Sequence, residues 1–301
     1  MKVGWIALMA CVLVGGLAGM VYSHVGPDLY IPQVDPARIT IDGLGTEWED
    51  PTFYPQEYMI TPDDLGGNVT GGDLPPADDW YGILYLGWSA PPDNMLYGYS
   101  RVTDDILNDE AARNGDAWRD DTIEIIVDAD HSGGNYREGW ALHAETAQQF
   151  CIRMTQVPLP IPTEGAQDED KTQWHIWARP EAKWVTKPEY MYAALDHPET
   201  RENCTYAWEW KMALWDEVGA SPEESKRHIN KLGDCIGLVI QWDDSDAELD
   251  KRDDQPGTQG PEGNESWTTA DHLNDAYFVE NPLLPVAAEA SSWGVVKASF
   301  K

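Results

Sequence analysis

The stretch over residues 96–130 constrains the fold more than any other, because its second half alternates with a period of two. There Ile123, Ile125 and Val127 fall on one face of an extended strand, and Glu124 falls on the other. The aliphatic face is expected to pack in a core, so Glu124 is expected on the outer face of its sheet. The stretch therefore predicts two β-strands joined by a long polar loop.

Short runs of this kind recur along the chain and are separated by turn residues. The runs expected to form strands are residues 37–43, 80–88, 140–153, 205–214, 236–242 and 276–280, with shorter ones at 58–60, 174–177 and 190–192. Ser221 followed by Glu224 is a capping pattern, which predicts one short helix over residues 221–232. Many strands and a single helix predict an all-β fold, an antiparallel β-sandwich with long loop insertions.

The first 23 residues have the features of a secretory signal peptide. Lys2 precedes an apolar run, and small residues favour cleavage after Ser23. An uncleaved membrane anchor is the alternative, because the apolar run is nearly long enough to span a bilayer. We therefore expect a secreted, extracellular protein, with the periplasm or cell surface as alternatives. A single domain is expected over residues 24–282, followed by a tail over residues 283–301.

The acidic composition limits the partners of the protein. The chain has 53 acidic and 20 basic residues, a formal net charge of −33. Nucleic acid is therefore excluded as a partner, because phosphate binding requires the opposite charge. An anionic membrane surface is disfavoured for the same reason. The excess of carboxylates suits an extracellular protein that binds calcium, although it also serves solubility alone.

Four cysteines occur, and one of them, Cys11, lies in the leader. In an oxidising compartment one disulfide is possible, for which Cys204 and Cys235 are the favoured pair, and one thiol is left over. No Cys-x-x-Cys occurs in the sequence, so neither a zinc ribbon nor a redox motif is supported.

Trp118 lies in the polar loop shortly before Glu124. An indole beside an outward carboxylate can hold a sugar, because the ring covers a pyranose face while the acid accepts hydroxyl hydrogens. Packing of the indole under a loop is the alternative. Gln241 lies in an otherwise apolar strand, where a buried amide either joins a core network or faces a ligand. The 15 tryptophans, against four phenylalanines, indicate that some indoles lie at the surface.

Taken in order, these motifs resemble the family 9 carbohydrate-binding modules, which occur attached to xylanases and in secreted bacterial proteins. The ordered set spans roughly residues 38–279 and consists of Ile41-Asp42-Gly43 with Glu47-Trp48, Leu96-Tyr97 to Asp104, Trp118 to Asp128, Tyr206 to Trp215, and Gly237 to Asp243. Insertions at about residues 54–79, 157–203 and 248–263 interrupt it. The resemblance implies a β-sandwich with structural calcium that grips a terminal sugar between two tryptophans, in the service of polysaccharide binding or breakdown.

The resemblance also implies roles for single residues. The first sugar-stacking tryptophan of the family corresponds to Trp118. The Asn-x-x-Trp that carries the second corresponds to Asn264 and Trp267. The family's glutamate and its late-strand amide correspond to Glu124 and Gln241.

One departure from the family concerns its reducing-end clamp, an Arg and an Asn two residues apart. The corresponding face of this sequence offers His143 and Glu145, so the lost guanidinium puts specificity for a reducing end in doubt. The insertion that carries Trp174, Trp177 and Trp184 could also cover or reshape the site.

Clustered carboxylates at predicted strand ends are candidates for the calcium ligands, because calcium prefers oxygen ligands brought close together. The candidates are Asp42 and Glu47, Asp104 and Asp105, Asp128 and Asp130, and Asp243, Asp244 and Asp246. Turns and caps are the alternative use for each pair.

Other classes of function have weaker support. Paired carboxylates can hydrolyse glycosides, but pairs carry little information in a chain this acidic. Cleavage after Ser23 would leave His24 at the N-terminus, where its amine and ring could bind copper. Met154 and His143 could ligate haem in an electron-transfer sandwich. A structural surface protein that lost sugar binding is a further alternative. We expect a non-catalytic protein that binds a polysaccharide or oligosaccharide, with its oligomeric state open.

Overall fold

The computed structural model of the chain describes residues 24–109, 114–154, 174–246 and 251–284. The strands, in chain order, are β1 (Leu29–Pro32), β2 (Gly67–Asn68), β3 (Trp80–Trp88), β4 (Leu96–Ile106), β5 (Thr122–Asp128), β6 (Gln148–Arg153), β7 (Trp174–Ile176), β8 (Met191–Asp196), β9 (Glu202–Met212), β10 (Trp215–Glu217), β11 (Lys226–Arg227), β12 (Cys235–Asp243), β13 (Pro256–Gly257) and β14 (Asn274–Val279). Turns of 3-10 helix lie at Pro36–Arg38, Gln56–Tyr58, Pro62–Asp64, Asn114–Arg119, Pro180–Thr186, Pro222–Glu224, Pro261–Gly263 and Ala270–His272. Within these ranges no helix is long and apolar enough to cross a membrane. The predicted leader and most of the predicted tail lie outside the described residues.

The strands form two larger sheets that pack as a β-sandwich. One sheet has eight strands, in the order β1-β14-β12-β5-β6-β7, with β13 paired to β12 and β2 to β13. The other has four strands, in the order β3-β4-β9-β8, and β10 and β11 form a separate ribbon. Apart from the parallel pair of β1 and β14, the pairs of strands in the described residues are antiparallel. The predicted antiparallel β-sandwich is therefore confirmed.

The main core lies between the two large sheets. The aliphatic face of β5 packs in it as predicted, since Ile123, Ile125 and Val127 are fully buried there. Trp242 of β12 reaches across the sandwich, where its Nε1 donates a hydrogen bond to Oγ of Ser100 on β4 at 2.9 Å. Burial of such aromatic and aliphatic area is the main favourable term that holds the sheets together.

The outer face of β5 is also covered. Ile126 belongs to a second, small core that includes Tyr136 and Leu273 from the overlying loops. Glu124 lies on this outer face as predicted, but it is only 2% exposed because those loops extend over it. Loops therefore cover part of the outer face of the eight-stranded sheet, and polar side chains beneath them are shielded from water.

The strand predicted over residues 37–43 is wrong. The segment begins with a 3-10 turn and continues without a strand. Its amides find a side-chain acceptor, because Oε2 of Glu209 accepts hydrogen bonds from the backbone N of Asp42 and of Gly43 at 2.9 and 3.0 Å. These two amide hydrogens are therefore not available for a sheet ladder.

The long strand predicted over residues 140–153 is also shorter than expected, since β6 begins only at Gln148. Leu142 and His143 have φ angles of 46° and 54°, in the left-handed region that no strand contains. The backbone N of His143 donates to the carbonyl oxygen of Tyr136 at 3.1 Å. The segment is thus an ordered loop that folds back on the loop before it.

The helix predicted over residues 221–232 is wrong as well. A single 3-10 turn follows Ser221, whose side chain makes no capping hydrogen bond, and the chain then enters the short strand β11. The guanidinium of Arg227 donates to the carbonyl oxygens of Leu214 and Asn94. These tertiary contacts hold the segment extended and outweigh its weak local preference for helix.

The predicted disulfide is absent, since Cys204 and Cys235 are both free thiols. Cys204 lies on β9 of the four-stranded sheet, and Cys235 lies on β12 of the eight-stranded sheet. Burial raises the pKa of each of these two thiols to about 11, so both are protonated at neutral pH.

Candidate functional site

A cavity of about 460 Å³ lies over the outer face of the eight-stranded sheet. All six residues predicted to bind a sugar line it, namely Trp118, Glu124, His143, Gln241, Asn264 and Trp267. The other lining residues are Val69, Arg137, Gln149, Trp177, Arg252, Gln255 and Ser266. The structure thus brings the predicted residues to one place, and their role in sugar binding stays a prediction.

Three polar side chains from adjacent strands form the floor of the cavity. Glu124 of β5 lies directly across from Gln241 of β12. Oε2 of Glu124 accepts hydrogen bonds from Nε2 of Gln241 at 2.7 Å and from Nε2 of Gln149, on β6, at 3.2 Å. The register explains this group: Gln241 is directly opposed to Glu124, and Gln149, opposite Ile126, is its diagonal neighbour on the same face. Gln241 therefore takes both roles considered for it, since it joins a buried network and faces the cavity.

Trp118 and Trp267 are the aromatic residues that the sequence predicted for the site, and they remain 36% and 41% exposed. Trp118 lies in the 3-10 turn Asn114–Arg119. Trp267 follows a turn in which the backbone N of Ser266 donates to the carbonyl oxygen of Gly263 at 2.8 Å. Short hydrogen-bonded turns hold both indoles at the cavity, where their rings can stack on an apolar face of a ligand.

A guanidinium lies over each of these indoles. Arg137 lies 4.3 Å from the ring centroid of Trp267. Two cations lie near Trp118, with Arg119 at 4.9 Å and Arg252 at 5.6 Å from its ring centroid. Arg137 and Arg252, which also line the cavity, come from loops, and loops have no periodicity that could reveal them in the sequence. The ring of His143 stacks beside that of Trp267, at a centroid distance of 6.5 Å and an interplanar angle of 20°.

The insertion reshapes the site at one point. Trp177, which follows β7, lines the cavity as a third indole. Trp174 is fully buried, and Trp184 is 8% exposed, so both belong to the main core instead. Strand β7 extends the eight-stranded sheet beyond β6 and so places Trp177 beside the floor.

Glu124 and Asp243 form a buried acidic pair at the base of the cavity. Burial, reinforced by the neighbouring Asp243, raises the pKa of Glu124 to about 8. Burial raises the pKa of Asp243 as well, but Arg252 opposes this shift, and Asp243 accepts hydrogen bonds from Nη1 of Arg252 at 2.7 Å, Nε2 of Gln255 at 2.9 Å and Oγ1 of Thr122 at 2.8 Å. These donors favour the anion on Asp243 and the proton on Glu124. Glu124 is therefore neutral at neutral pH and can donate as well as accept a hydrogen bond.

This protonation gives a testable dependence of stability on pH. The folded pKa of Glu124 lies above its ordinary value, so its contribution to stability falls as pH rises from about 4.5 through about 8. Glu124→Gln removes the titration, and we expect its unfolding temperature relative to wild type to rise as pH rises from about 5 to about 8. Thermal unfolding of both proteins across this range measures the difference.

The exposed Glu199, replaced by Gln, is the matched control and should differ from wild type by a constant amount. A difference for Glu124→Gln that does not change with pH would show that Glu124 is already ionised in the folded protein.

Six aspartates, two on β4 and four in segments beside β3, β12 and β13, form a second polar group, which we name the acidic cluster. Its members are Asp79, Asp104, Asp105, Asp244, Asp246 and Asp254, in three overlapping sets of three whose carboxylate oxygens lie within 4.8 Å of one another. Four of the six were candidate calcium ligands, whereas Asp79 and Asp254 were missed because they lie in loops. The cluster joins segments next to β3 and β4 to segments next to β12 and β13.

The acidic cluster has strong internal repulsion. Burial, followed by the nearby Asp104 and Asp246, raises the pKa of Asp244 to about 9. Burial and the nearby Asp105 raise the pKa of Asp246 to about 8. Asp244 is 1% exposed, and neither of its carboxylate oxygens has a hydrogen-bond partner among the described residues. Orphaned buried carboxylate oxygens suit a hard divalent cation, which would supply the missing countercharge.

The other candidate calcium ligands lie elsewhere. Oδ1 of Asp42 accepts from the backbone N of Leu44 at 2.9 Å, and Oε1 of Glu47 accepts from the backbone N of Thr40 at 2.7 Å, so both serve turns. Asp243 contributes to the base of the cavity rather than to the acidic cluster.

Asp128 organises the loop after β5. Its Oδ2 accepts from the backbone N of Gly133 at 2.7 Å, and burial raises its pKa to about 6, with a hydrogen bond to Asp130 adding to the shift. This pair belongs to none of the three-membered sets of possible metal ligands found in the described residues.

The residues considered for haem ligation are separated in the fold. Met154 is fully buried in the main core, whereas His143 lines the cavity on the outer face of the sheet. The structure does not bring this pair to one site.

The fold has counterparts among solved structures. The chain is similar to a carbohydrate-binding module of family 9 from Caldicellulosiruptor kristjanssonii in complex with cellotriose, at 13% identity and a TM-score of 0.53 over 86% of this chain and 99% of the other. A structure of such a module from the same organism in complex with glucose matches at 13% identity and a TM-score of 0.52, over 85% and 97% of the two chains. No model of a protein family and no curated protein matches the sequence. At this identity the likeness establishes the fold: the protein has the β-sandwich fold of these modules.

Proposed function

We propose that the protein is a secreted, non-catalytic carbohydrate-binding protein that holds a sugar or the end of a glycan in the cavity, between Trp118 and Trp267. The observation that carries the proposal is the convergence of two exposed indoles on the hydrogen-bonding floor of Glu124, Gln149 and Gln241. Such a cavity, in which aromatic rings and converging polar groups meet, has the parts of a small-ligand site.

Each part of the cavity suits one part of a sugar. An indole can cover the apolar face of a pyranose ring, where several C–H groups lie together. The floor offers amide donors and acceptors together with the neutral carboxyl of Glu124, and these groups match vicinal hydroxyls that both donate and accept. The two similar modules were solved with cellotriose and with glucose, which favours a hexose as the first ligand to examine.

Arg137 and Arg252 are relevant to the question of whether the protein requires the reducing end of a glycan. Arg137 and Arg252 line the cavity, so guanidinium groups are present there. The resemblance aligns His143, and no arginine, with the arginine of the family's reducing-end clamp. A guanidinium can donate two parallel hydrogen bonds to adjacent sugar oxygens. We propose that these loop arginines replace the missing arginine, and binding of a ligand whose reducing end is blocked measures whether a free end is required.

We also propose structural calcium in the acidic cluster. The buried oxygens of Asp244 without partners among the described residues support this assignment, together with four further carboxylates whose oxygens lie within 4.8 Å of its own, those of Asp79, Asp104, Asp246 and Asp254. Calcium there would bind segments of both sheets at once. Of the other acidic groups considered for calcium, Asp42, Glu47 and Asp243 already have hydrogen-bond donors, which leaves the acidic cluster as the proposed site.

Titration of the protein with glucose, cellotriose and xylotriose, followed by tryptophan fluorescence in calcium-containing buffer, tests the proposed function. We expect saturable binding with a dissociation constant in the range of roughly micromolar to millimolar, because one or two stacked rings supply only about 1 kcal/mol each beyond burial. A glycan array extends the test to other sugars. Absence of binding to every glycan, in a protein that remains folded, would favour a structural protein that has lost sugar binding.

A further inference from the structure

A second group of possible metal ligands lies apart from both the cavity and the acidic cluster. His24, His131 and Asp275 each offer one ligand atom, and these atoms lie within 4.8 Å of one another. Nδ1 of His24 lies 2.7 Å from Oδ1 of Asp275, and Nε2 of His131 lies 2.9 Å from the same oxygen. Two imidazoles from distant parts of the chain therefore point a nitrogen at one carboxylate oxygen.

Backbone and packing contacts fix the position of His24. The backbone N of Val25 donates to the carbonyl oxygen of Leu273 at 2.9 Å, which fixes the start of the described chain against the segment before β14. Asp275 lies on β14, directly across from Gly237 of β12. A Cβ atom at Gly237 would lie 3.1 Å from Cε1 of His24, so the glycine leaves room for the imidazole ring. The side chain of His24 is only 2% exposed as a result.

His131 reaches the group through an unusual backbone conformation. Its φ angle is 56°, in the left-handed region that residues other than glycine seldom adopt. The turn that imposes this conformation is held by Asp128, whose carbonyl oxygen accepts from the backbone N of His131 at 3.3 Å. An unfavourable conformation that persists in a residue able to bind a metal is a reason to look for a function at that residue.

We propose that His24, His131 and Asp275 bind a divalent transition-metal ion of the zinc class. Two imidazole nitrogens and one carboxylate oxygen are a common three-ligand set for zinc, and they leave a fourth position open to water. Calcium is a poor occupant, because it prefers six to eight oxygen ligands. The side chains of His131 and Asp275 are 30% and 31% exposed, so an ion can enter from solvent.

The protonation state of His24 is compatible with metal binding. Burial, followed by the nearby His131, lowers the pKa of His24, so its ring is neutral at physiological pH, which is the form that ligates metals. The copper site that the sequence suggested at His24 needs a free N-terminal amine, whereas the site proposed here needs only side chains.

Calorimetric titration of the untagged protein with zinc chloride, in buffer with excess calcium to fill the acidic cluster, tests the proposal. We expect one equivalent of zinc to bind, and His131→Ala and Asp275→Asn each to weaken binding at least about tenfold. His197→Ala removes a histidine that belongs to none of these groups and is the matched control, expected to bind as wild type. Thermal unfolding without zinc verifies that each variant is folded.

Cobalt provides a second readout that depends on the ligands and not on stability. A four-coordinate cobalt site with two imidazoles should give visible absorption bands in wild type that are lost in His131→Ala. Failure of wild type to bind zinc under these conditions, or unchanged zinc binding in both ligand variants, would overturn the proposal. Because glycan binding uses other residues, neither outcome bears on the proposed function.

Discussion

Trp118→Ala and Trp267→Ala are each expected to weaken glycan binding about thirtyfold, and the double variant is expected to abolish it. Each indole is exposed at the cavity, so truncation removes a stacking surface without opening the main core. Loss of one stacked ring and of the apolar area that it covers corresponds to about 2 kcal/mol, which is about thirtyfold in affinity. Isothermal titration with the best ligand found for wild type measures the change.

The matched control is Trp140→Ala. Trp140 is 37% exposed, close to the exposure of the other two indoles, but it does not line the cavity. The same truncation there should leave affinity unchanged and should reproduce any general effect of losing a surface tryptophan. Equal affinity in wild type and in both cavity variants would show that the sugar binds elsewhere on the protein.

The cavity floor could be predicted because it depends on strand periodicity. Alternation along β5 places Glu124 on the face of the strand that Ile123 and Ile125 do not occupy. Gln241 is recognisable because it is a polar residue in an otherwise apolar strand. Such inferences need only the geometry of an extended chain. The burial of Glu124 could not be predicted in this way, because it depends on loops that fold over the outer face of the sheet.

The parts of the site that were missed lie in loops. Arg137 and Arg252 reach the cavity from segments whose sequence has no regular period. The strand wrongly predicted over residues 37–43 failed for a related reason, since Glu209, far along the chain, takes its amide hydrogens. Local preference decides a structure only where no distant side chain offers a better partner.

Calcium is expected to raise the unfolding temperature of wild type by roughly 5–10 °C at a concentration one hundred times its dissociation constant. At that ratio binding to the folded state alone contributes about 2.7 kcal/mol, and about 1 kcal/mol corresponds to roughly 2–4 °C for a domain of this size. Differential scanning calorimetry with calcium, with magnesium and with a chelator measures the effect. Magnesium should stabilise much less, because it prefers strict octahedral geometry and gives up its water reluctantly.

Asp244→Asn separates the effect of Asp244 as a buried carboxyl from its proposed role as a calcium ligand. Without calcium the variant should unfold at a higher temperature than wild type at about pH 8, because it removes a buried carboxyl whose pKa is raised to about 9. With calcium the order should reverse, since the variant has lost a charged ligand. Asp63→Asn, at an exposed aspartate outside the cluster, is the control and should respond to calcium as wild type does.

The pH dependence without calcium tests the same electrostatics by a separate route. The folded pKa values of Asp244 and Asp246 lie at about 9 and about 8, above the ordinary value of 3.8. The folded protein therefore keeps protons that the unfolded chain has released, and its stability should fall as pH rises from about 4 toward about 9. Saturating calcium should oppose this loss, because the ion binds the ionised carboxylates and replaces their protons. Unfolding temperatures that respond neither to calcium nor to pH would show that the acidic cluster is not buried and repulsive as described, and the proposal of structural calcium would fail with it.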